Sequence, residues 1–237
     1  AEAAGIPRVV CASSINALGY NYGRRPSVIG RLPIDEAHPL ATTDAYSFSK
    51  QAMEEIARYF HRRAGIASVC LRMPWVTPAA ETAEERVRER WRTCAEAWKR
   101  VEDMSEEARR DWIGGLAAGW EALRGSGALE EPGMARRLEL MRRDPLFAGR
   151  SDFWTLLDER DAAQAVERGL LAAFEGSHAV YVNDDHNWSG LPSTALAGRY
   201  HPGVPCAELP GTACLVDIGA ARRLLGFAPE YSVERWR

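Results

Sequence analysis

The 237-residue sequence has few lysines, no closely spaced cysteines and no long apolar run. Its five cysteines are widely spaced without a Cys-x-x-Cys pair, which argues against a disulfide framework and against a zinc knuckle. It has no apolar stretch of about 18 residues and no charged-then-apolar leader, so we expect neither a membrane span nor a signal peptide. These absences favour a reducing, cytoplasmic setting.

Charge and histidine spacing exclude further classes of protein. The formal net charge is −3, the pI is near 6.0, and charges of both signs are interspersed, so we expect no nucleic-acid partner. The five histidines are scattered without ligand spacing, so we predict no metal site. With 46% hydrophobic residues, the chain has enough apolar side chains to bury a core.

The first third of the sequence predicts an α/β unit. An apolar run, Arg8 to Ala12, has the pattern of a buried parallel strand, and the turn-rich segment 15–43 is best interpreted as a long loop. Thr42-Thr43-Asp44 supplies a helix N-cap, and the helix is expected to run to about Ala64, where Gly65 ends it. A second strand, Ala67 to Met73, completes a right-handed crossover of a parallel sheet.

That helix carries an apolar stripe and, beside it, a pair of polar side chains. The stripe is expected to face the core and consists of Ala45, Phe48, Ala52, Ile56 and Tyr59. Tyr46 and Lys50 lie one turn apart on its flank, and Lys50 is one of only two lysines among thirty basic residues. A cation beside a phenol favours the phenolate and makes the hydroxyl a candidate general acid or base. The alternative interpretation is an aromatic ring packed under a lysine stem.

Four stretches of the sequence, taken in order, carry a family resemblance. They are Val9–Gly19, Pro33–Glu36 followed by His38-Pro39, Asp44–Lys50, and Leu71–Val76. Together they resemble the second half of the nucleotide-binding domain of extended short-chain dehydrogenases/reductases, the NAD-dependent epimerase/dehydratase group. The resemblance implies the C-terminal part of a Rossmann-type doubly wound parallel sheet with a smaller, mainly helical substrate-binding region.

The resemblance also implies roles for particular residues. Tyr46 would be the general acid/base, and Lys50 would lower its pKa and hold the ribose of NAD or NADP. Ser14 would orient the reacting oxygen of the substrate, with Ser13 beside the cofactor. Two residues that follow the second strand, Pro74 and Trp75, would border the nicotinamide and the substrate. Asn16 is either a further substrate contact or simply a turn former.

The sequence departs from the family pattern at the phosphate-binding site. It has no Gly-rich strand-to-helix turn followed by an acidic ribose-binding residue. Ala1 to Gly5 has the pattern of the last turn of a helix, so we interpret the chain as lacking the first half of the dinucleotide fold. The choice between NAD and NADP stays open, because the residue that discriminates them lies in that half.

Substrate and partners are only broadly indicated. The segment after the serines has no acidic pair, and Trp75 stands where sugar-nucleotide epimerases of this type carry asparagine. We therefore expect a dehydrogenase, reductase or epimerase acting on a sugar, a sugar acid or a related compound, with a homodimer as one possible assembly. The alternative is a truncated, non-catalytic fold remnant that acts as a binding or oligomerisation module.

We expect three regions along the chain. They are residues 1–78, the second half of the dinucleotide-binding domain; residues 79–150, a helical insertion or lid; and residues 151–237, the remaining Rossmann elements and substrate-binding region. In the second region, tryptophans recur at near-multiples of two helical turns, at Trp91, Trp98, Trp112 and Trp120. We therefore expect a helical hairpin with the tryptophans packed inward. The alternative is a substrate lid or a partner surface. In the third, Asp161 is expected to be the N-cap of a helix from Ala162 to Phe174.

Overall fold

The computed structural model describes residues 1–25, 28–126 and 134–237. Its strands are β1 (Arg8–Ser14), β2 (Ala67–Met73), β3 (Val76–Thr77), β4 (Leu157–Asp158) and β5 (Ser177–Tyr181). Strands β1, β2 and β5 form a parallel sheet in that order, and β3 pairs with β4 in a separate parallel pair. The predicted α/β class and the Rossmann-type parallel sheet are confirmed.

The sequence predicted the crossover between β1 and β2 closely. Helix α1 (Ala45–Ala64) begins after Asp44, whose Oδ1 accepts a hydrogen bond from the Ser47 N–H at 2.7 Å. It ends at Gly65, which has a φ of 68° and so adopts the left-handed conformation that favours glycine. Asp44 satisfies one of the N–H groups that the first turn leaves unpaired. Both ends of this helix are therefore determined by local sequence.

The predicted core stripe of α1 is wrong. Phe48 and Ile56 are 63% and 56% exposed, whereas the buried residues of the helix are Ser47, Glu54 and Ala57. Glu54 is buried because its carboxylate is paired with Arg72 on β2, and this pair determines which side of the helix faces the sheet. An apolar pattern cannot reveal a core face that is built around an ion pair.

The remaining helices follow β3. They are α2 (Glu84–Glu102), α3 (Glu106–Gly125), α4 (Met134–Arg143), α5 (Pro145–Ala148), α6 (Glu159–Leu171), α7 (Ser193–Tyr200) and α8 (Gly219–Leu225). Short 3-10 helices occur at Glu2–Ala4, Ile15–Leu18, Ala79–Thr82, Gly149–Ser151 and Val233–Trp236. Within the described part of the chain, no helix combines the length and apolar character needed to cross a membrane.

The tryptophan-rich segment forms two long helices, as expected. Trp120 is buried, Trp98 and Trp112 pack against the same hydrophobic cluster, and Trp91 packs against a second, smaller one, so the inward orientation is confirmed. The helices do not form a tight hairpin, because α2 packs mainly on α5 and α3 mainly on α4. This helical region shares its core with the loop that follows β1, which brings it next to the end of the sheet.

The prediction that Asp161 caps its helix is wrong. Helix α6 begins at Glu159, and its N-cap is Asp158, whose side chain accepts from the Arg160 N–H. The Asp161 carboxylate instead accepts from the backbone N–H groups of Glu230 and Tyr231, at 2.9 and 3.0 Å. Burial raises the pKa of Asp161. Its role is to hold the C-terminal segment against α6.

Candidate active site

The carboxyl ends of β1 and β2 bring the predicted site residues to one edge of the sheet. Ser14 is the register partner of Met73, so Ser13 and Ser14 lie level with the residues that precede Pro74 and Trp75. Pro74 is buried, whereas Trp75 is 80% exposed. In open parallel sheets, ligands bind in the crevice outside this edge.

Tyr46 and Lys50 meet at the same edge. The Lys50 Nζ lies 5.4 Å from the centre of the Tyr46 ring and donates a hydrogen bond to the Ala12 carbonyl of β1 at 2.9 Å. Tyr46 is 45% exposed, and the Tyr22 ring packs edge-on against it at 5.7 Å. The first turns of α1 therefore hold a phenol and an ammonium beside the end of β1, with the phenol open to solvent.

Ser14 organises the turn that follows β1. It is the N-cap of the 3-10 helix Ile15–Leu18, and its Oγ accepts from the Asn16 N–H at 3.1 Å. Because the oxygen acts here as an acceptor, its own O–H can be donated to another oxygen. Asn16 is half-buried in the same turn, and Gln51 of α1 donates to the Ala17 carbonyl at 2.7 Å.

Ser13 points instead into a buried ionic network. Its Oγ donates to Glu54 Oε1 at 2.8 Å. The Arg72 guanidinium donates two hydrogen bonds to the same carboxylate, at 2.9 and 2.7 Å. Burial alone would lower the pKa of Arg72, but its hydrogen bonds with Glu54 raise it above the ordinary value. The predicted contact of Ser13 with a cofactor stays a prediction, and in the structure its hydroxyl serves this network.

Sequence reasoning missed Glu54 and Arg124. Glu54 had a visible signal, since positions 46, 50 and 54 continue one spacing of four along α1. Arg124 had none, because one arginine on an Arg-rich helix is not distinctive. Its guanidinium is buried and donates to the carbonyls of Tyr20 and Gly23, at 3.1 and 2.6 Å. Helix α3 thereby fixes the loop that carries Tyr22 against Tyr46.

A cluster of two carboxylates and an imidazole lies on the loop that follows β5. Within the described ranges, Asp184, Asp185 and His186 have potential ligand atoms within 4.8 Å of one another. Each is already bonded within the protein: Asp184 accepts from the Val233 N–H, His186 contacts Asp185 at 2.9 Å, and Arg222 contacts Asp185 at 2.6 Å. Burial raises the pKa of Asp184 to about 6. The predicted absence of a metal stays a prediction.

The loop after β5 has a structural role. Asn187 is buried and donates to Ser193 Oγ at 2.8 Å and to the Leu191 carbonyl at 2.9 Å. Trp188 is half-buried against the core. These bonds give Asn187 a role in holding the fold of this loop.

Comparison with known proteins identifies a family and shared folds. Residues 1–114 match the model of the NAD dependent epimerase/dehydratase family, and the family recognition made from the sequence is confirmed. No curated protein matches the chain significantly. The matched part contains β1, α1, β2 and all the predicted site residues.

Solved structures share the fold. A short-chain dehydrogenase/reductase superfamily protein from Agrobacterium tumefaciens with bound NAD is 20% identical, with a TM-score of 0.52 over 99% of this chain and 66% of that one. Glucuronic acid dehydrogenase from Chromohalobacter salexigens is 18% identical, with a TM-score of 0.46 over 98% of this chain and 50% of that one. UDP-glucose 4-epimerase from Thermotoga maritima is 15% identical, with a TM-score of 0.45 over 98% of this chain and 64% of that one. The chain thus spans between half and two thirds of the length of these proteins.

Proposed function

We propose that the protein is an NAD(P)-dependent oxidoreductase or epimerase that acts on a hydroxyl or carbonyl group of a sugar, a sugar acid or a related compound. One observation carries this proposal: at the carboxyl end of β1, the Lys50 ammonium lies 5.4 Å from the centre of the Tyr46 ring and donates to the Ala12 carbonyl. The family match over residues 1–114 covers the same elements and supports it. The fold similarity to an NAD-bound structure gives support at the level of architecture.

Tyr46 would transfer the proton. Its phenol is partly exposed beside the carboxyl end of β1, where the oxygen of a bound substrate can reach it. The Lys50 ammonium lies 5.4 Å from the centre of the Tyr46 ring, so it would hold the cofactor ribose next to the phenol. Ser14 would donate its O–H to the same substrate oxygen and hold it in line with Tyr46.

The residues present suit the nicotinamide-ribose end of the cofactor. An ammonium has three N–H donors, and the Lys50 bond to the Ala12 carbonyl uses one, so donors remain for the ribose hydroxyls. Pro74 and Trp75 would border the nicotinamide and the substrate, respectively. A bound nicotinamide would supply or accept the hydride. The sequence contains no Gly-rich turn to bind the diphosphate, so these residues account for one end of the cofactor only.

Substitution of Tyr46 tests the assignment. With a panel of sugars and sugar acids and both cofactors, we expect Tyr46→Phe to lower kcat at least about 100-fold, because a positioned general acid/base contributes about 10² to 10⁴. Cofactor affinity, measured by nicotinamide fluorescence, should stay within about 3-fold of wild type, since the ring and Lys50 remain.

Tyr59→Phe is the matched control. Tyr59 lies on the same helix and is 46% exposed, against 45% for Tyr46, so it tests the loss of one exposed phenol away from the edge. Full activity in Tyr46→Phe would disprove the proposed mechanism. Wild-type protein without turnover or cofactor binding would favour the alternative of a non-catalytic binding module.

A further inference from the structure

Two cysteines face each other across neighbouring strands of the sheet. Cys11 on β1 is the register partner of Cys70 on β2. Adjacent strands lie ~4.8 Å apart, and register partners point to the same side of the sheet. This separation falls within the Cα range of about 4.4 to 6.8 Å that a disulfide can bridge. Both residues have free thiols in the structure.

The two thiols have different environments. Cys70 is buried, whereas Cys11 is half-buried and lines an open groove of about 410 Å³ between α1 and the sheet. The other groove walls are mainly apolar and include Val9, Met53, Ile56 and Phe60. Cys11 is therefore the more accessible of the two thiols, and Cys70 lies behind it.

Their contact activates one sulfur. The hydrogen bond from Cys70 lowers the pKa of Cys11 to about 7, against the opposing effect of burial. The same contact, together with burial, raises the pKa of Cys70. The lowered pKa favours the thiolate form of Cys11, and the thiolate is the reactive form of cysteine.

We propose that Cys11 and Cys70 form a reversible dithiol-disulfide site that is oxidised by a peroxide. The Cys11 thiolate attacks the peroxide, so that an S–O bond forms, the O–O bond breaks and water leaves after protonation. Cys70 then attacks the resulting sulfenic acid, forming the S–S bond and releasing a second water. The two thiols lose two electrons, and the peroxide is reduced to two waters.

Strand geometry favours reversibility. A relaxed disulfide requires Cβ atoms ~3.8 Å apart, which is closer than the ~4.8 Å between neighbouring strands. The bridge therefore stores strain and is easily reduced. Cys11 precedes Ser13 by two residues and Cys70 precedes Arg72 by two, so the bridge would pull on both strands beside the Ser13–Glu54–Arg72 network. The bridge itself does not depend on the proposed function.

Thiol counting on the folded chain tests the site. The protein is treated with hydrogen peroxide, freed of it, denatured, alkylated and analysed by mass spectrometry with peptide mapping. We expect the five alkylated cysteines to fall to three, with Cys11 and Cys70 in one disulfide-linked peptide pair, and dithiothreitol before alkylation to restore all five.

Three variants make the assignment specific. Cys11→Ser should abolish the bridge. Cys70→Ser should stop the reaction at a sulfenic acid on Cys11, which dimedone traps as a stable adduct. Cys206→Ser is the matched control, since Cys206 is also half-buried, and it should leave the bridge unchanged. Circular dichroism checks that each variant is folded, and Cys70→Ala replaces Cys70→Ser if that variant unfolds.

Three results would overturn the proposal. They are five alkylated cysteines in the peroxide-treated wild type, a bridge that persists in Cys11→Ser, and oxidation of Cys11 beyond the sulfenic acid without a bridge to Cys70. Each can be read directly from the mass of the mapped peptides.

Discussion

At the residue scale, a buried ion pair connects helix α1 to the sheet. The Glu54 and Arg72 side chains are 1% and 3% exposed, and Ser13 donates to the same carboxylate. This network lies one turn beyond Lys50 on the helix and immediately before Ser14 on the strand. The positions of Tyr46, Lys50 and Ser14 therefore depend on a group that takes no part in the proposed chemistry.

Glu54→Gln should destabilise the fold strongly. It leaves the Arg72 charge buried without its partner, which typically costs about 3–5 kcal/mol of unfolding free energy. The adjacent Glu55, whose side chain is 63% exposed, provides the control, and Glu55→Gln should change stability by no more than about 0.5 kcal/mol. Urea denaturation measures both, and equal stabilities for the two variants would contradict the importance of the buried pair.

His201 is a second residue whose protonation state is determined by burial. Its ring stacks on Phe153 at 5.5 Å and meets Trp154 edge-on at 5.8 Å. Burial, followed by the charge of Arg150, lowers the pKa of His201 to about 3. Below pH 6.5, the ordinary pKa of histidine, the unfolded chain binds a proton at His201 that the folded chain does not. Its contribution to stability is therefore lost as the pH falls from about 6.5 towards 3.

Replacing His201 should reduce the acid sensitivity of the protein. Between pH 7 and pH 5, wild type should lose about 2 kcal/mol of unfolding free energy relative to His201→Phe, at about 1.4 kcal/mol for each pH unit below 6.5. Urea midpoints at the two pH values measure this difference. Parallel pH profiles for wild type and His201→Phe would refute the assignment.

At the scale of elements, the approach of α6 to the sheet depends on one glycine. A Cβ added at Gly169 would lie 2.9 Å from a methyl carbon of Val10 on β1 and of Val69 on β2. Real Cβ contacts are essentially never so short, and β-branched side chains have little freedom to move aside. Hydrophobic periodicity predicts a helix in this segment but cannot predict how closely it packs.

Gly169→Ala should therefore destabilise the protein, although alanine is the better helix former. We expect a loss of about 1–3 kcal/mol from overpacking. The control is Gly115→Ala in α3, at an exposed glycine with no atom within 4 Å of the added Cβ, which should stabilise the protein by about 0.5–1 kcal/mol. Thermal and urea unfolding measure both, and a stabilising Gly169→Ala would show that α6 can move away from the sheet at no cost.

At the scale of the whole molecule, α1 leaves an apolar face uncovered. Phe48, Ile56 and Tyr59 have the spacing of a buried helical stripe, yet all three are exposed. An exposed apolar row of this kind typically marks an association surface. The homodimer expected from the sequence stays a prediction, and this face is where we expect its two subunits to meet.

Charges on this face should separate the subunits. We expect wild type to sediment as a dimer and the double variant Phe48→Lys with Ile56→Lys as a monomer, because lysines at a buried apolar contact lose their hydration. Leu170→Lys with Leu171→Lys, at exposed leucines of α6, should remain dimeric. Sedimentation equilibrium measures the masses, and a monomeric wild type would contradict the prediction.

The sequence by itself determined the local elements. The Asp44 cap and Gly65 fix the ends of α1, and the largely apolar segment from Ala67 to Met73 predicts β2, because capping bonds and strand patterns depend on neighbouring residues. The spacing of Tyr46 and Lys50 follows from the helix alone. The family match over residues 1–114 agrees with the order of the sequence motifs.

Only the tertiary structure decided which face of α1 is buried, what Ser13 and Asp161 bind, and that Arg124 supports the loop beside Tyr46. These contacts join residues far apart in the chain, and their energies come from pairing buried charges and satisfying buried backbone groups. Hydrophobic periodicity carries no information about such pairs. The same reason applies to Cys11 and Cys70, whose contact exists only because β1 and β2 pair in one particular register.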